Sequence, residues 1–104
     1  MLRSMEQRRV AGGEDPRVTG LRTAVSRLRR ELAAHPADLP DRCIAEEELA
    51  ALHAAAAGGT PEVPRLRRSL LLVAGAVGSV SALADALADV RRAVELFGEP
   101  PRGR

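Results

Sequence analysis

A chain of 104 residues has room for one domain with a modest core, at a size where a partner subunit often adds burial. Its 45% apolar content excludes a chain disordered throughout, and an apolar set made almost entirely of Leu, Val and Ala, with Phe97 as the single aromatic, points to helix over strand. All 16 basic residues are Arg, which excludes Schiff-base chemistry on lysine and a lysine-bearing phosphate loop, and a formal net charge of +2 does not call for nucleic acid.

Residues 1–14 read as a flexible arm, with Gly12-Gly13, mixed charge and no hydrophobic period. Arg3, Arg8 and Arg9 make this end basic, but no apolar run follows, so it is not a secretory signal. The domain proper is expected over 15–98, as an all-α, antiparallel bundle of three to four helices at about 16–35, 40–57, 64–78 and 80–97, with a flexible tail over 99–104.

The first helix has Asp15 as N-cap and Pro16 as its first residue. Val18, Leu21, Val25, Leu28 and Leu32 follow at alternating steps of three and four, a seam on one face. Arg17, Arg22, Arg27, Arg29 and Arg30 occupy the other faces, and His35-Pro36 ends the helix with His35 as C-cap. The second helix takes Pro40 into its first turn and carries Asp41 and Glu46 to Glu48 in its early turns, where negative charge suits the helix dipole. Ala45, Leu49, Leu52 and Ala56 form its stripe, with Ile44 beside it, and Gly58-Gly59 stops it. Cys43 reads as a small, partly buried apolar residue and His53 as a residue of the helix surface.

Thr60-Pro61 offers a cap and a start for the third helix, with an irregular first turn as far as Pro64. Leu66, Leu70, Val73, Val77 and Val80 keep the helical rhythm. Ser69 to Ala84 carries no charge, yet its 16 residues fall short of a bilayer span, so it reads as a buried core helix. Leu70 to Val73 is apolar on all sides, which places this helix at the centre or at an interface. Leu83, Leu87, Val90, Val94 and Phe97 make a new stripe out of phase with the last. Gly75, Gly78, Ser79 and Ser81 are weak helix formers, which sets a break near 78–81; one continuous helix from 64 to 97 is the alternative. Gly98 is the expected C-terminal cap.

Arg27-Leu28-Arg29-Arg30 recurs 38 residues on as Arg65-Leu66-Arg67-Arg68, and at the same offset Ala45, Leu49, Leu52 and Ala56 meet Leu83, Leu87, Val90 and Val94. Two αα-hairpins of one pattern would explain the echo; chance in an Arg/Leu/Ala-rich chain is the competing explanation. Charge is uneven. Residues 16–35 hold five arginines against Glu31, and residues 36–59 hold five acids against Arg42. Short loops make these helices antiparallel neighbours, so their charges are expected to match within the molecule. Arg65, Arg67 and Arg68 crowd the start of the third helix, where the dipole disfavours cations; Glu62, the Glu46 to Glu48 run or an anionic partner would offset them.

No catalytic constellation, metal site or cofactor site is found. Gly75 to Ser79 lacks the lysine of a phosphate loop, and Cys43, His35 and His53 have no metal-ligand spacing. Glu46, Glu47 and Glu48 are adjacent and fan around their helix rather than converging on one cleft. Ala74/Gly78 and Gly75/Ser79 are small residues four apart, a spacing that lets helix backbones approach.

Three stretches carry a family likeness: Glu14-Asp15-Pro16-Arg17, then Pro61-Glu62-Val63-Pro64-Arg65-Leu66-Arg67-Arg68-Ser69-Leu70-Leu71-Leu72-Val73-Ala74-Gly75, then Val94-Glu95-Leu96-Phe97-Gly98-Glu99-Pro100-Pro101. Over about residues 14–101 the chain resembles a family of small uncharacterised proteins of Streptomyces-type actinobacteria, a domain of unknown function. It is also similar in layout to helical modules attached to larger bacterial signalling or defence proteins. The resemblance implies a cytoplasmic bacterial protein and brings no catalytic residues.

The leading expectation is therefore a non-enzymatic helical module for protein–protein interaction or self-association, homodimerisation included, with Leu70, Val73, Ala74, Val77 and Gly78 as its candidate face. The alternatives are anion or nucleic-acid binding through Arg65, Arg67 and Arg68, and peripheral membrane association through 69–84. Nucleic acid and membrane rank behind a protein partner, and no small-molecule substrate, cofactor or metal is expected.

Overall fold

The structure, a computed structural model, describes residues 15–58 and 61–98. The arm over 1–14, the tail over 99–104, Gly59 as helix stop and Thr60 as cap lie outside the described residues. Among the described residues there are four α-helices and no strand: α1 Pro16–Ala34, α2 Arg42–Ala57, α3 Val63–Val77 and α4 Ala84–Gly98, the last preceded by a 3₁₀ turn at Ser81–Leu83.

Each helix begins and ends for a local reason. Asp15 is the N-cap of α1: its carboxylate accepts from the backbone N–H of Arg17 at 2.9 Å while Pro16, which has no N–H to satisfy, takes the first turn. At the other end His35 is the C-cap, and its N–H returns to the Leu32 carbonyl. α2 starts at Arg42, two residues later than the expected 40, because Asp41 is the N-cap and Pro40 precedes it. α3 starts from Glu62 with Pro64 in its first turn, which continues the helix without the irregularity expected there. It stops at Gly78, whose N–H closes on the Ala74 carbonyl. A Cβ at Gly78 would run into that same carbonyl oxygen, so glycine is required at this stop. Val80 is then extended, at φ −91° and ψ 102°. The break near 78–81 is therefore real, and a single helix from 64 to 97 is excluded.

The four helices close into a ring. α1 packs against α2 and α4, and α3 packs against the same two from the opposite side, as in an up-and-down bundle. The expected stripes fill the interior: Val18, Leu21, Val25, Leu28 and Leu32 from α1, Ala45, Leu49, Leu52 and Ala56 from α2, Leu66, Val73 and Val77 from α3, and Leu83, Leu87, Val90 and Val94 from the last segment are buried, while Leu70, Val80 and Phe97 of the same stripes are half-buried against them. The echo at an offset of 38 has a structural counterpart only in part. All four positions of the α2 stripe and their equivalents in the last segment are buried. Arg27 to Arg30, however, lie late in α1 while Arg65 to Arg68 lie at the start of α3, so the halves are not two copies of one hairpin.

Three polar ties sit on this frame. The Arg42 guanidinium donates to the carbonyls of Leu32 at 2.5 Å, His35 at 2.9 Å and Ala37 at 2.9 Å, so the start of α2 caps the end of α1. Ser69, buried on the inner side of α3, donates from Oγ to Glu48 Oε1 of α2 at 2.8 Å. Arg27 of α1 donates to Glu31 on its own helix at 2.9 Å and to Asp89 of α4 at 2.7 Å, and Arg92 reaches Asp89 as well.

The third tie corrects the expected charge matching. Arg27 pairs with α4, and the exposed Glu46 and Glu47 of α2 take part in none of the ion pairs among the described residues. The cause is ring closure: α1 has α4 as a second neighbour, and Asp89 lies on its near side. Two single-residue readings are also corrected. Cys43 is exposed, because it falls outside the Ala45–Leu49–Leu52–Ala56 stripe. His53 is half-buried, with Nδ1 buried and without a hydrogen-bond partner among the described residues.

Candidate functional site

At 100° per residue, Leu66, Ser69, Val73 and Val77 of α3 point inward, and Pro64, Arg68, Leu71, Gly75 and Gly78 fall on the opposite side. All five of these are exposed. Leu71, at the middle of this outer line, is 71% exposed, the most of any large apolar residue described. Leu72 is turned toward α2 and is 38% exposed. The Ser69–Glu48 bond sets the register of α3 against antiparallel α2. One turn along each helix from that bond lie Leu72 and Ile44, and Ile44 is 44% exposed. Three of the four exposed large apolar residues thus lie on the α2/α3 side of the bundle; the fourth is Leu96 of α4.

This geometry corrects the candidate face. Val73 and Val77 are buried in the chain's own core, Leu70 and Ala74 are half-buried against it, and only Gly78 of the five expected residues is exposed. Helical rotation is the reason: the stripe that drives α3 into the bundle cannot also be offered to a partner, and Leu71, one position past Leu70, is carried to the outside.

Arg65, Arg67 and Arg68 are all exposed on the first turns of α3, but they do not form one patch. Arg65 turns toward α2 and lines a groove of about 550 Å³ with Ala51, Ala54, Ala55, Pro61 and Glu62. Arg67 turns toward α4, and its guanidinium stands against Gly98. Arg68 points outward beside Leu71. Neither of the two offsets expected from within the chain is seen among the described residues. Glu62 makes no side-chain capping bond, Glu48 is engaged by Ser69, and none of the three arginines enters an ion pair among the described residues.

Elsewhere, a second open groove of about 410 Å³ runs between α1 and α4, floored by Gly20, Ala24 and Ala93 and edged by Leu96 and the Arg27–Asp89 pair. Near it Arg17 sits 4.9 Å over the Phe97 ring while bonded to Asp15. The bond from the Arg17 side chain, followed by that from its backbone N–H, holds the Asp15 carboxyl below the usual carboxylate range. The same side-chain bond raises Arg17, and Arg27 is raised by its bond to Glu31 first and by Asp89 after that.

Among the described residues no group of three or more His, Cys, Asp or Glu could hold a metal ion, and no helix is long and apolar enough to cross a membrane. Leu71 escaped the sequence reading because it sits inside an unbroken apolar run; only its phase relative to Leu66 and Val73 marks it as outward. The Ser69–Glu48 bond had a fainter sign, a serine in phase with the buried stripe, whose hydroxyl needs a hydrogen-bond partner either on its own helix or on a neighbour.

Comparison with known proteins yields no match to a curated protein and none to a solved structure. A family model does match, over residues 10–98, nearly the whole of the chain and all four helices. The chain therefore belongs to DUF5955, a family of unknown function.

Proposed function

We propose that this protein is a non-enzymatic helical interaction module that docks through the outer face of α3. The observation that carries the reading is Leu71, a large apolar side chain 71% exposed at mid-helix, with Arg68 one turn before it and Gly75 one turn after. Leu72 and Ile44 extend the apolar surface toward α2. An exposed apolar cluster rimmed by charge is the usual form of a protein-binding patch. Arg67 turns toward α4, away from Arg65 and Arg68, so the three do not converge on one site, which ranks anion or nucleic-acid binding behind this reading. The cytoplasm of an actinobacterial cell is the setting we infer from the resemblance given above.

The test is a comparison of the tagged wild type with Leu71→Arg, both checked for helical content by circular dichroism. A partner that co-purifies with the wild type is itself purified and titrated against each. Loss of affinity by about thirtyfold, the scale of an interface hot spot, is the expected result. Equal affinities for wild type and variant would remove α3 as the docking face.

A further inference from the structure

We infer that the occupant of the α3 face is a second copy of this chain, packed antiparallel across a twofold axis at Leu71; the inference rests on the docking face proposed above. Pro64, Arg68, Leu71, Gly75 and Gly78 are spaced by four, three, four and three residues and so share one line along the exposed side of α3, with Leu71 as its large apolar member. The line is close to symmetric about its centre. Pro64 and Gly78 stand seven residues to either side of Leu71, and Arg68 and Gly75 stand three and four away. Turned end to end on a copy of itself, the line sets Leu71 against Leu71, Arg68 against Gly75 and Pro64 against Gly78, which is the self-complementarity an isologous contact requires.

Shape and charge both select this orientation. Gly75 has open space where a Cβ would be, so the antiparallel pair lays the long Arg68 stem into a notch. Arg68, which stands on the outer line in the first turns of α3, enters no ion pair among the described residues, at the helix end whose dipole disfavours it. The last turn of α3 carries no basic residue, and its terminal carbonyls form the negative end of the dipole. An antiparallel pair sets each Arg68, the one arginine of the three on the outer line, toward the carbonyl end of the other copy's α3. A parallel pair would set Arg68 against Arg68. The surface is limited, since 15 residues make α3 about 22 Å long. A face with Leu71 as its main apolar anchor, extended by Leu72 and Ile44, makes a weak dimer the expectation, on the order of 10 µM.

The full-length chain is examined by light scattering and sedimentation equilibrium over a concentration series, alongside Leu71→Arg. The orientation is read in a Cys43→Ser background, needed because Cys43 is exposed, by oxidative cross-linking of Leu71→Cys and, separately, Gly75→Cys. The expected result is a reversible dimer weakened about thirtyfold by Leu71→Arg, with a covalent dimer formed through position 71 and none through 75. Efficient cross-linking through 75 would mean a parallel pair and overturn the inference, as would a dimer that cross-links at neither position. A wild type that stays monomeric up to about 500 µM overturns the second copy while leaving the α3 face open to a different protein. A dimer unaffected by Leu71→Arg overturns the second-copy contact at α3, and the partner titration then decides the docking face by itself.

Discussion

Arg42→Met would remove the three bonds by which the start of α2 holds the end of α1, while keeping the length of the unbranched stem as far as Nε and nearly the same helix propensity. The bonds to Leu32 and His35 are part-buried, and that to Ala37 is exposed. A hydrogen bond from a charged donor contributes about 1.5–3 kcal/mol when shielded, and water replaces the exposed one at little cost. The Leu32 carbonyl keeps a second donor in the N–H of His35, which softens its loss. The net cost is therefore about 2 kcal/mol, most of it from Leu32 and His35. In a domain of this size that lowers Tm by about 10 °C. Arg42→Lys offers a single point charge in place of the planar fork and should recover about half, or ~1 kcal/mol. Thermal and urea melts followed by circular dichroism at 222 nm measure both variants, with the urea slope unchanged if only stability moves. An Arg42→Met chain within about 0.5 kcal/mol of the wild type would refute the view that this side chain closes the first helix.

Asp15 predicts a pH dependence. Its folded-state pKa lies below the ordinary value because Arg17 is bonded to it, so its contribution is present above the unfolded-state value and is lost as pH falls through the folded-state one. Asp15→Asn keeps a cap acceptor without the charge, so its Tm should fall less than that of the wild type between about pH 6 and pH 2; parallel curves would contradict the assignment. His53→Leu removes a buried nitrogen that has no partner among the described residues and should raise stability by about 1 kcal/mol in urea titration, whereas a loss of that size would show that the ring is held by a contact that Leu cannot replace.

The four helices were legible in the sequence because each carries its own instructions. Asp15-Pro16 starts one, His35-Pro36 ends it, and steps of three and four between Leu, Val and Ala lay an apolar stripe whose burial drives the fold. The break before α4 was legible for the same kind of local reason, glycine and serine at the point where the stripe changes phase. The candidate site was legible only as a segment. Leu70 to Gly78 was identified, but the face was set one position off, because a run of four apolar residues hides its own phase and buried Val73 and Val77 read the same as exposed Leu71.

What the sequence determined by itself was carried by neighbours within a turn or two: the existence of each helix to within a few residues, the caps of α1, the core stripes and the charge of each segment, whereas Gly98, expected as a cap, is the last residue of α4. The tertiary structure alone decided which helices meet across the ring, and with that the pairing of Arg27 with Asp89, the reach of Arg42 into the α1 C-terminus, the bond from Ser69 to Glu48 and the side of α3 left uncovered. These depend on how the helices are rotated about their axes and which ones become adjacent when the bundle closes. Both are set by packing all four stripes at once, and no single stretch of chain specifies them.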